Sequence, residues 1–222
     1  MHKQIANLVD LKNEYVKEVL DNIALQTNNL IDNSKIKFND ENFLTATSEQ
    51  TCDDIISLGI NHSGYPDDSN MLELLSSDAV TDDKIKKNTY YMNEVRPKIL
   101  QYNIDIQYFL GSRNAGIFTY YPPNGYISWH NNANAPGYNV LFTWSETGDG
   151  YFAYRDENNQ TVKVHDKKGW SAKMCYFPSY SEEIGTFYHS ASTNCRRITC
   201  AYRFEKNGEA IWKDLKEDLE NE

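Results

Sequence analysis

Cysteine is scarce in this chain of 222 residues: there are four, and no two of them are in the Cys-x-x-Cys spacing typical of zinc sites and redox-active dithiols. They stand at Cys52, Cys175, Cys195 and Cys200. A disulfide framework is therefore not expected, and the pattern favours reduced thiols in a reducing compartment.

Clustered positive charge is also missing. The chain has 22 Lys and Arg against 32 Asp and Glu, a net charge of −10, and its longest run of basic residues is two. Because phosphate backbones and anionic membranes are bound by clusters of Lys and Arg, nucleic acid is not expected as a partner. A local basic pocket for a small anion is still compatible with this composition.

Long apolar runs are absent as well. No stretch approaches the roughly 20 residues that span a bilayer, and the N-terminal residues 1–7 lack the apolar core of a signal peptide. We therefore expect a cytoplasmic protein with no membrane partner. Nothing in the sequence indicates the oligomeric state.

The first half of the chain predicts a helical and irregular layer over residues 1–105. Apolar residues recur on one face over 5–25 and again over 82–102, where Pro97 is expected to kink or divide the helix. Residues 31–80 are polar and irregular, and His62 is expected there as a solvated loop histidine.

From Ile117 the pattern changes to short, alternating runs rich in aromatic and β-branched residues, separated by Gly, Pro and Asn turns. The predicted strands are 117–121, 126–130, 138–144, 150–155, 161–165, 171–177, 187–191 and 197–204. About eight short strands at this spacing predict a barrel or sandwich, and we choose a jelly roll. The chain is thus expected to be one α+β domain, 1–222, with N-terminal helices on one sheet, a jelly-roll core at 117–204 and an acidic helix at 205–222.

Two stretches in this core carry candidate chemistry. His130 and Asn132 are two residues apart, so on a regular strand their side chains point to the same face and can chelate one metal ion. His189, from a later strand, completes a facial set of three ligands with open positions, as in non-haem Fe(II) oxygenases. Arg197 and Thr199 also share a face and can clamp a carboxylate. Taken alone, His-x-Asn is a weak signal.

The order of these residues resembles the Fe(II)- and 2-oxoglutarate-dependent dioxygenases, above all the prolyl 4-hydroxylase-like branch and its phage-encoded relatives. Their pattern is His-x-Asp, a later histidine and then an arginine, and the resemblance covers roughly 117–204. It implies the double-stranded β-helix form of the jelly roll, with His130, Asn132 and His189 as catalytic iron ligands.

The same resemblance implies that Arg197, assisted by Thr199, binds the distal carboxylate of 2-oxoglutarate, and that Tyr120 or Tyr121 reaches this cosubstrate. The implied cofactors are Fe(II), 2-oxoglutarate and O2, with ascorbate as an optional reductant. The implied activity is hydroxylation of a small molecule or a peptide side chain such as proline, coupled to conversion of 2-oxoglutarate to succinate and CO2. A phage-encoded member would act in the host cytoplasm.

The chain departs from the family at Asn132, where the family has aspartate. A neutral amide is a weaker ligand than a carboxylate, so looser iron binding is expected, or a substitute carboxylate from Glu146 or Asp149. Arg197 also follows His189 closely for this family, which leaves Arg203 as a reserve for the carboxylate.

Three further residues are candidate substrate contacts. Asn134 and Asn139 are expected either to hydrogen-bond the substrate or to cap a loop, and Trp144 is expected either in the core or as a substrate platform. The alternative to an enzyme is a non-catalytic jelly-roll binding or structural module that has lost iron chemistry through Asn132.

Overall fold

The computed structural model describes residues 6–34, 36–38, 43–75, 85, 88–112, 114–182 and 185–221. Its helices are α1 Glu14–Asn33, α2 Phe43–Ala46, α3 Glu49–Leu58, α4 Arg96–Leu110 and α5 Glu209–Glu220. Its strands are β1 Asn7–Val9, β2 Ser69–Asn70, β3 Leu72–Glu73, β4 Asn114–Tyr121, β5 Gly125–His130, β6 Gly137–Ser145, β7 Gly150–Arg155, β8 Thr161–His165, β9 Gly169–Phe177, β10 His189–Thr193 and β11 Arg197–Phe204. None of the helices in these ranges combines the length and apolar character needed to cross a membrane.

The strands form two antiparallel sheets. The large sheet has the order β1-β9-β6-β11-β4-β3, and the small sheet has the order β2-β5-β10-β7-β8. Between β4 and β11 the chain passes repeatedly from one sheet to the other, so that residues distant in sequence meet in the space between them. The eight predicted strands therefore exist, with ends that differ from the predicted ones by at most three residues.

Helices α1 and α4 pack on the outer face of the large sheet. Leu20 and Ile23 of α1 and Ile99 of α4 are completely buried in one cluster with residues of that sheet. Burying each such side chain contributes about 1.5–3 kcal/mol relative to leaving it exposed. The apolar stripe predicted for the N-terminal region thus provides the helix–sheet interface.

The predicted bounds of the first helix are wrong. Residues 7–9 instead add a strand to the edge of β9, and α1 begins only after Asn13, whose side chain accepts a hydrogen bond from the backbone N–H of Val16. That cap fixes the start of the helix. The local apolar period could not distinguish a docked edge strand from a first helical turn.

The second predicted helix is not interrupted at Pro97, where a kink or division was expected; its backbone changes from π to α geometry just before the proline. A π-helical turn at Tyr91–Val95 precedes α4, and Pro97 lies in the first turn of α4. The backbone N–H of Arg96 still donates to the carbonyl of Tyr91 across the π turn, and the irregular turn before the proline accommodates a residue that has no N–H to donate. Residues 82–84, at the predicted start of this helix, lie outside the described residues.

A second layer covers the outer face of the small sheet. Cys52 and Ile55 of α3 pack there against Trp129 of β5. Arg155 of β7 anchors the helix by donating to Asp53 at 2.5 Å and to the sulfur of Cys52 at 3.3 Å. The polar region that looked irregular in sequence therefore holds a docked helix.

The segment 62–73 fastens this layer to both sheets, because β2 pairs with β5 and β3 pairs with β4. The expectation of a solvated His62 is wrong, since its side chain is buried. Its Nδ1 accepts from the backbone N–H of Gly64, and its Nε2 contacts Asp67. The segment therefore has a fixed place beside the end of β5.

Candidate metal and carboxylate site

His130 and His189 lie opposite each other on the paired strands β5 and β10. Their ring centroids are 4.2 Å apart. A ring centroid lies roughly 3.2 Å from a metal ligated by its Nε2, so two ligands at right angles have centroids roughly 4.5 Å apart. The observed separation therefore suits two imidazoles on one octahedral ion.

A bulge in β5 makes this meeting possible. His189 pairs with His130 and Ala191 pairs with Ile127, so two steps along β10 correspond to three steps along β5. The extra residue rotates His130 to the face on which His189 lies. A regular strand would have placed Ile127 and His130 on opposite faces.

Each histidine is held by the backbone carbonyl two residues before it. Nδ1 of His130 is 2.8 Å from the carbonyl oxygen of Ser128, and Nδ1 of His189 is 3.1 Å from that of Phe187. A carbonyl oxygen only accepts, so these contacts assign the proton to Nδ1 and leave the lone pair on Nε2. A backbone carbonyl that fixes the tautomer in this way is a frequent partner of metal-binding histidines.

Burial keeps both rings neutral. Desolvation, reinforced by nearby His62, lowers the pKa of His130 to about 4. Desolvation and the neighbouring His130 lower the pKa of His189 well below its ordinary value. The ring of His189 is stacked on Phe177 with centroids 4.8 Å apart. Two neutral imidazoles in an aromatic surrounding are ready to ligate a metal ion without first losing a proton.

Asn132 does not lie on the strand, contrary to the shared-face argument. Strand β5 ends at His130, and Asn132 begins a short 3-10 turn with φ +60°. Its carboxamide is partly exposed and makes no hydrogen bond with any of the described residues. The backbone conformation of this turn therefore decides whether the Asn132 side chain reaches the histidines.

The turn that carries Asn132 is held from outside by Gly64. The carbonyl oxygen of Gly64 accepts from the backbone N–H groups of Asn131 and Ala133, both at 3.2 Å. The side-chain oxygen of Asn131 accepts from the hydroxyl of Tyr180 at 2.9 Å. These bonds fix the backbone on both sides of Asn132 and so limit where its amide can point.

The described residues contain no group of three or more His, Cys, Asp or Glu side chains that could hold a metal ion. Glu146 and Asp149 do not supply the missing carboxylate. Asp149 precedes β7 beside Thr193, which is the end of β10 away from His189, and Glu146 accepts from the backbone of Arg196. Of the oxygen donors predicted from the sequence, this leaves Asn132.

Arg197 lies in the same inner space, toward the far end of β10. Its guanidinium is 5.1 Å from the ring of Tyr121 and donates to the hydroxyl of Thr199 at 2.7 Å. Tyr121 in turn packs with Ala191, two residues after His189. The predicted arginine, threonine and tyrosine are thus together, and a continuous inner surface joins them to the histidines.

Asp166 is the residue that sequence reasoning missed. It follows β8 and binds Nε of Arg197 at 2.7 Å and Nζ of Lys173 at 3.0 Å. Burial alone would raise the pKa of Asp166, but the charges of Arg197 and Lys173 hold it below its ordinary value. We call Arg197, Asp166 and Lys173 the ionic cluster. The one available sequence signal was Lys173, a charge within an apolar strand pattern.

Strand β9 connects the ionic cluster to the histidines. Lys173, Cys175 and Phe177 alternate along β9 and so share one face, and Phe177 stacks on His189. Burial raises the pKa of the Cys175 thiol, which stays protonated. The face between the two polar groups is thus neutral.

The structure keeps three predicted residues away from this surface. Tyr120 and Trp144 pack into the cluster formed by the large sheet and the helices, on the opposite faces of their strands from Tyr121 and Thr143. Arg203 is six residues from Arg197, roughly 20 Å along the strand, and donates to the carbonyl of Pro136 at 2.6 Å. Arg197, and not Arg203, therefore lies beside the predicted carboxylate contacts.

The two asparagines make local hydrogen bonds. Asn134 accepts from the backbone N–H of Tyr180 at 2.8 Å. The amide of Asn139 donates to the carbonyl of Gly137 at 3.0 Å. Asn134 therefore has the loop-fixing contact that was expected as the alternative to substrate binding, whereas Asn139 lies within β6 and bonds to a residue of the same strand.

No protein-family model matches the chain, and no curated protein matches its sequence. A prolyl-4-hydroxylase from Pseudomonas putida is 12% identical, with 93% of this chain and 94% of that chain covered and a TM-score of 0.44. A prolyl hydroxylase from Trichoplax adhaerens, solved with a hypoxia inducible factor peptide fragment, is 12% identical, with coverages of 90% and 97% and a TM-score of 0.38. A viral collagen prolyl hydroxylase from Paramecium Bursaria Chlorella virus-1 is 14% identical, with coverages of 78% and 96% and a TM-score of 0.30.

Proposed function

We propose that this chain is a non-haem iron enzyme that uses 2-oxoglutarate and O2 to hydroxylate a small molecule or a peptide side chain such as proline. The observation that supports this most directly is the His130–His189 pair, with centroids 4.2 Å apart and both protons assigned to Nδ1. Imidazole nitrogen with an oxygen donor is the ligand type of non-haem Fe(II) sites that keep positions open.

The fold we assign to this function is a double-stranded β-helix at 117–204 within one domain, 1–222. The large sheet contains β4, β11, β6 and β9 in adjacent positions, and the small sheet contains β5, β10, β7 and β8. That arrangement is the expected one when the chain alternates between two sheets while winding in one direction. The N-terminal layer at 1–105 and the C-terminal helix within 205–222 are assigned as additions to this core.

In this proposal His130, His189 and Asn132 hold Fe(II). With O2 and 2-oxoglutarate the iron supplies an oxidant for hydroxylation, coupled to the release of succinate and CO2. The terminal nitrogens of Arg197, with Thr199 and Tyr121, bind the distal carboxylate and orient the cosubstrate. The aromatic rings around His189 exclude water from the reacting positions.

The test is anaerobic titration of the protein with Fe(II) and 2-oxoglutarate, followed by succinate measurement under O2. The wild type should develop the weak visible charge-transfer band of the metal–2-oxo acid chelate and should form succinate. His130→Ala should abolish both. His165→Ala is the matched control, because His165 is exposed and lies next to Tyr151.

Asn132→Asp measures the effect of the departure from the family pattern. A carboxylate adds one negative charge to the ligand set, so Fe(II) should bind about tenfold more tightly or better. Asn134→Asp is its control in the same turn, since an aspartate at 134 can still accept from Tyr180. Equal gains from both variants would show that the general charge of the turn, and not ligation, is responsible.

A non-catalytic binding module is the second candidate, and two observations favour it. The ligand set lacks a carboxylate at Asn132, and Arg197 is already paired with an internal carboxylate, Asp166. The protein would be such a module if it develops no charge-transfer band and forms no succinate, and if the Asn132→Asp variant also shows neither.

A further inference from the structure

The ionic cluster contains two cations and one carboxylate. Asp166 accepts from Arg197 through Oδ2 and from Lys173 through Oδ1. The side chains of Arg197, Asp166 and Lys173 are 2%, 0% and 1% exposed. With all three ionised, the three side chains carry a net charge of +1 in the protein interior; burial opposes it by lowering the pKa of Lys173, and the thiol of Cys195, with a pKa of about 7, offsets part of it when ionised. A buried charge without a counter-ion is unfavourable, so the cluster suits one further anion.

The geometry of Arg197 shows where such an anion would bind. Asp166 contacts Nε, on the side edge of the guanidinium, while the terminal nitrogen Nη1 donates to Thr199. A guanidinium binds a carboxylate most strongly through two parallel N–H groups. Thr199 can accept from Arg197 and donate its own proton to a ligand. The terminal nitrogens and the Thr199 hydroxyl therefore form the receptor, and Asp166 orients it from behind.

Lys173 does not contact Arg197 in this arrangement. Its Nζ lies 3.0 Å from Asp166 and 3.4 Å from the hydroxyl of Thr143. Without Lys173, Asp166 would neutralise Arg197 completely, and an incoming carboxylate would meet a neutral pair that already contains a carboxylate. The charge of Lys173 is what leaves the charge of Arg197 available.

We propose that Lys173 is a positioning residue for anionic ligands: by neutralising Asp166, it keeps the positive charge of Arg197 available for one carboxylate of a dicarboxylic acid. The identity of that dicarboxylic acid as 2-oxoglutarate rests on the proposed function. The charge balance of the cluster does not, and it applies to any dicarboxylic acid that reaches this surface.

The experiment measures ligand affinity by calorimetry and thermal shift in Lys173→Met, Lys173→Met/Asp166→Asn and Arg197→Met. Two sets of ligands are used. Mn(II)-loaded protein is titrated with 2-oxoglutarate and with 2-oxopentanoate, which lacks the distal carboxylate. Metal-free protein is titrated with glutarate, which can bind the cluster without a metal chelate.

The expected result is a charge-dependent pattern. Lys173→Met should weaken 2-oxoglutarate and glutarate about tenfold or more, the loss of roughly one charge interaction, and should leave 2-oxopentanoate unchanged. The double variant removes one charge of each sign, so it should recover most of the wild-type affinity although it lacks two cluster residues. Arg197→Met should lose dicarboxylate affinity without recovery.

Three results would overturn the proposal: Lys173→Met binding both dicarboxylates like wild type, equal weakening of 2-oxopentanoate, or failure of the folded double variant to recover affinity. Absence of glutarate and 2-oxoglutarate binding to wild type would also overturn it. Should Lys173→Met not fold, the double variant decides the question. Charge-dependent glutarate binding without a charge-transfer band would contradict the oxygenase and leave the role of Lys173 standing.

Discussion

The inner space between the sheets holds two polar groups, the histidine pair and the ionic cluster, which are stabilised in burial by different means. The histidine pair is buried as neutral rings, with lowered pKa values and one backbone hydrogen bond each. The ionic cluster is buried as charges that are paired with one another. This difference indicates which ligand each group can bind. Neutral lone pairs at the histidine pair suit a metal cation, and the net positive charge of the ionic cluster suits an anion.

The largest expected effect comes from breaking the ionic cluster. Asp166→Asn leaves Arg197 and Lys173 buried without a counter-ion, so the free energy of unfolding should fall by about 3–5 kcal/mol in urea denaturation. The control is Asp53→Asn, which removes the partner of Arg155 but at a half-exposed carboxylate, and should cost about 1 kcal/mol or less. Similar losses from both variants would contradict a special role for the buried cluster.

The next largest effect is a loss of folding stability on acidification, caused by the two buried histidines. His130 has a pKa of about 4 in the folded protein against 6.5 ordinarily. Between these pH values the unfolded chain binds a proton that the folded chain does not, so stability falls as the pH drops from about 6.5 to about 4. For the metal-free protein His130 should contribute roughly 3 kcal/mol to this loss, and His189, whose pKa is also lowered, adds to it. Urea denaturation across this range measures it, and His130→Gln should make the profile shallower whereas His165→Gln should not.

A smaller effect should follow from disturbing the turn that carries Asn132. Gly64 has φ +81°, and a Cβ there would collide with the backbone of Ala133. Gly64→Ala should cost about 1–3 kcal/mol of stability and should weaken metal binding at the histidines. Gly59→Ala is the control, because Gly59 also has a positive φ of +53° but nothing lies within 4 Å of its Cβ position. Equal metal affinity in both variants would show that the Gly64 contact does not shape the ligand set.

The smallest effect tests which of the neighbouring Tyr120 and Tyr121 contacts an anion bound at Arg197. Tyr121→Phe removes a hydroxyl next to Arg197 and should weaken 2-oxoglutarate several-fold, as expected for about 1 kcal/mol. Tyr120→Phe should leave the affinity unchanged, because Tyr120 faces the helices and lies 5.8 Å from the ring of Phe38. Calorimetric titration of both variants compares them directly, and a larger effect from Tyr120→Phe would reverse the assignment.

Much of the strand framework could be predicted from local pattern, because Gly, Pro and Asn turns delimit short runs with high strand propensity. The contact between His130 and His189 could not be derived from the alternation of side chains along a single strand. The expected sharing of a face with Asn132 was wrong because β5 ends at His130, and the bulge that aims His130 depends on pairing with β10. Pairing partners and bulges are properties of the sheet, not of one strand.

The sequence by itself determined that the chain forms short strands after a helical region, that positive charge is not clustered along it, and that His130, His189 and Arg197 follow one another in that order. Only the tertiary structure decided that Tyr121 and not Tyr120 contacts Arg197, that His62 is buried, and that Asp166 and Lys173 complete an ionic cluster. The physical reason is that propensity and alternation act between neighbours in sequence, whereas burial and ion pairing depend on which surfaces the two sheets bring together.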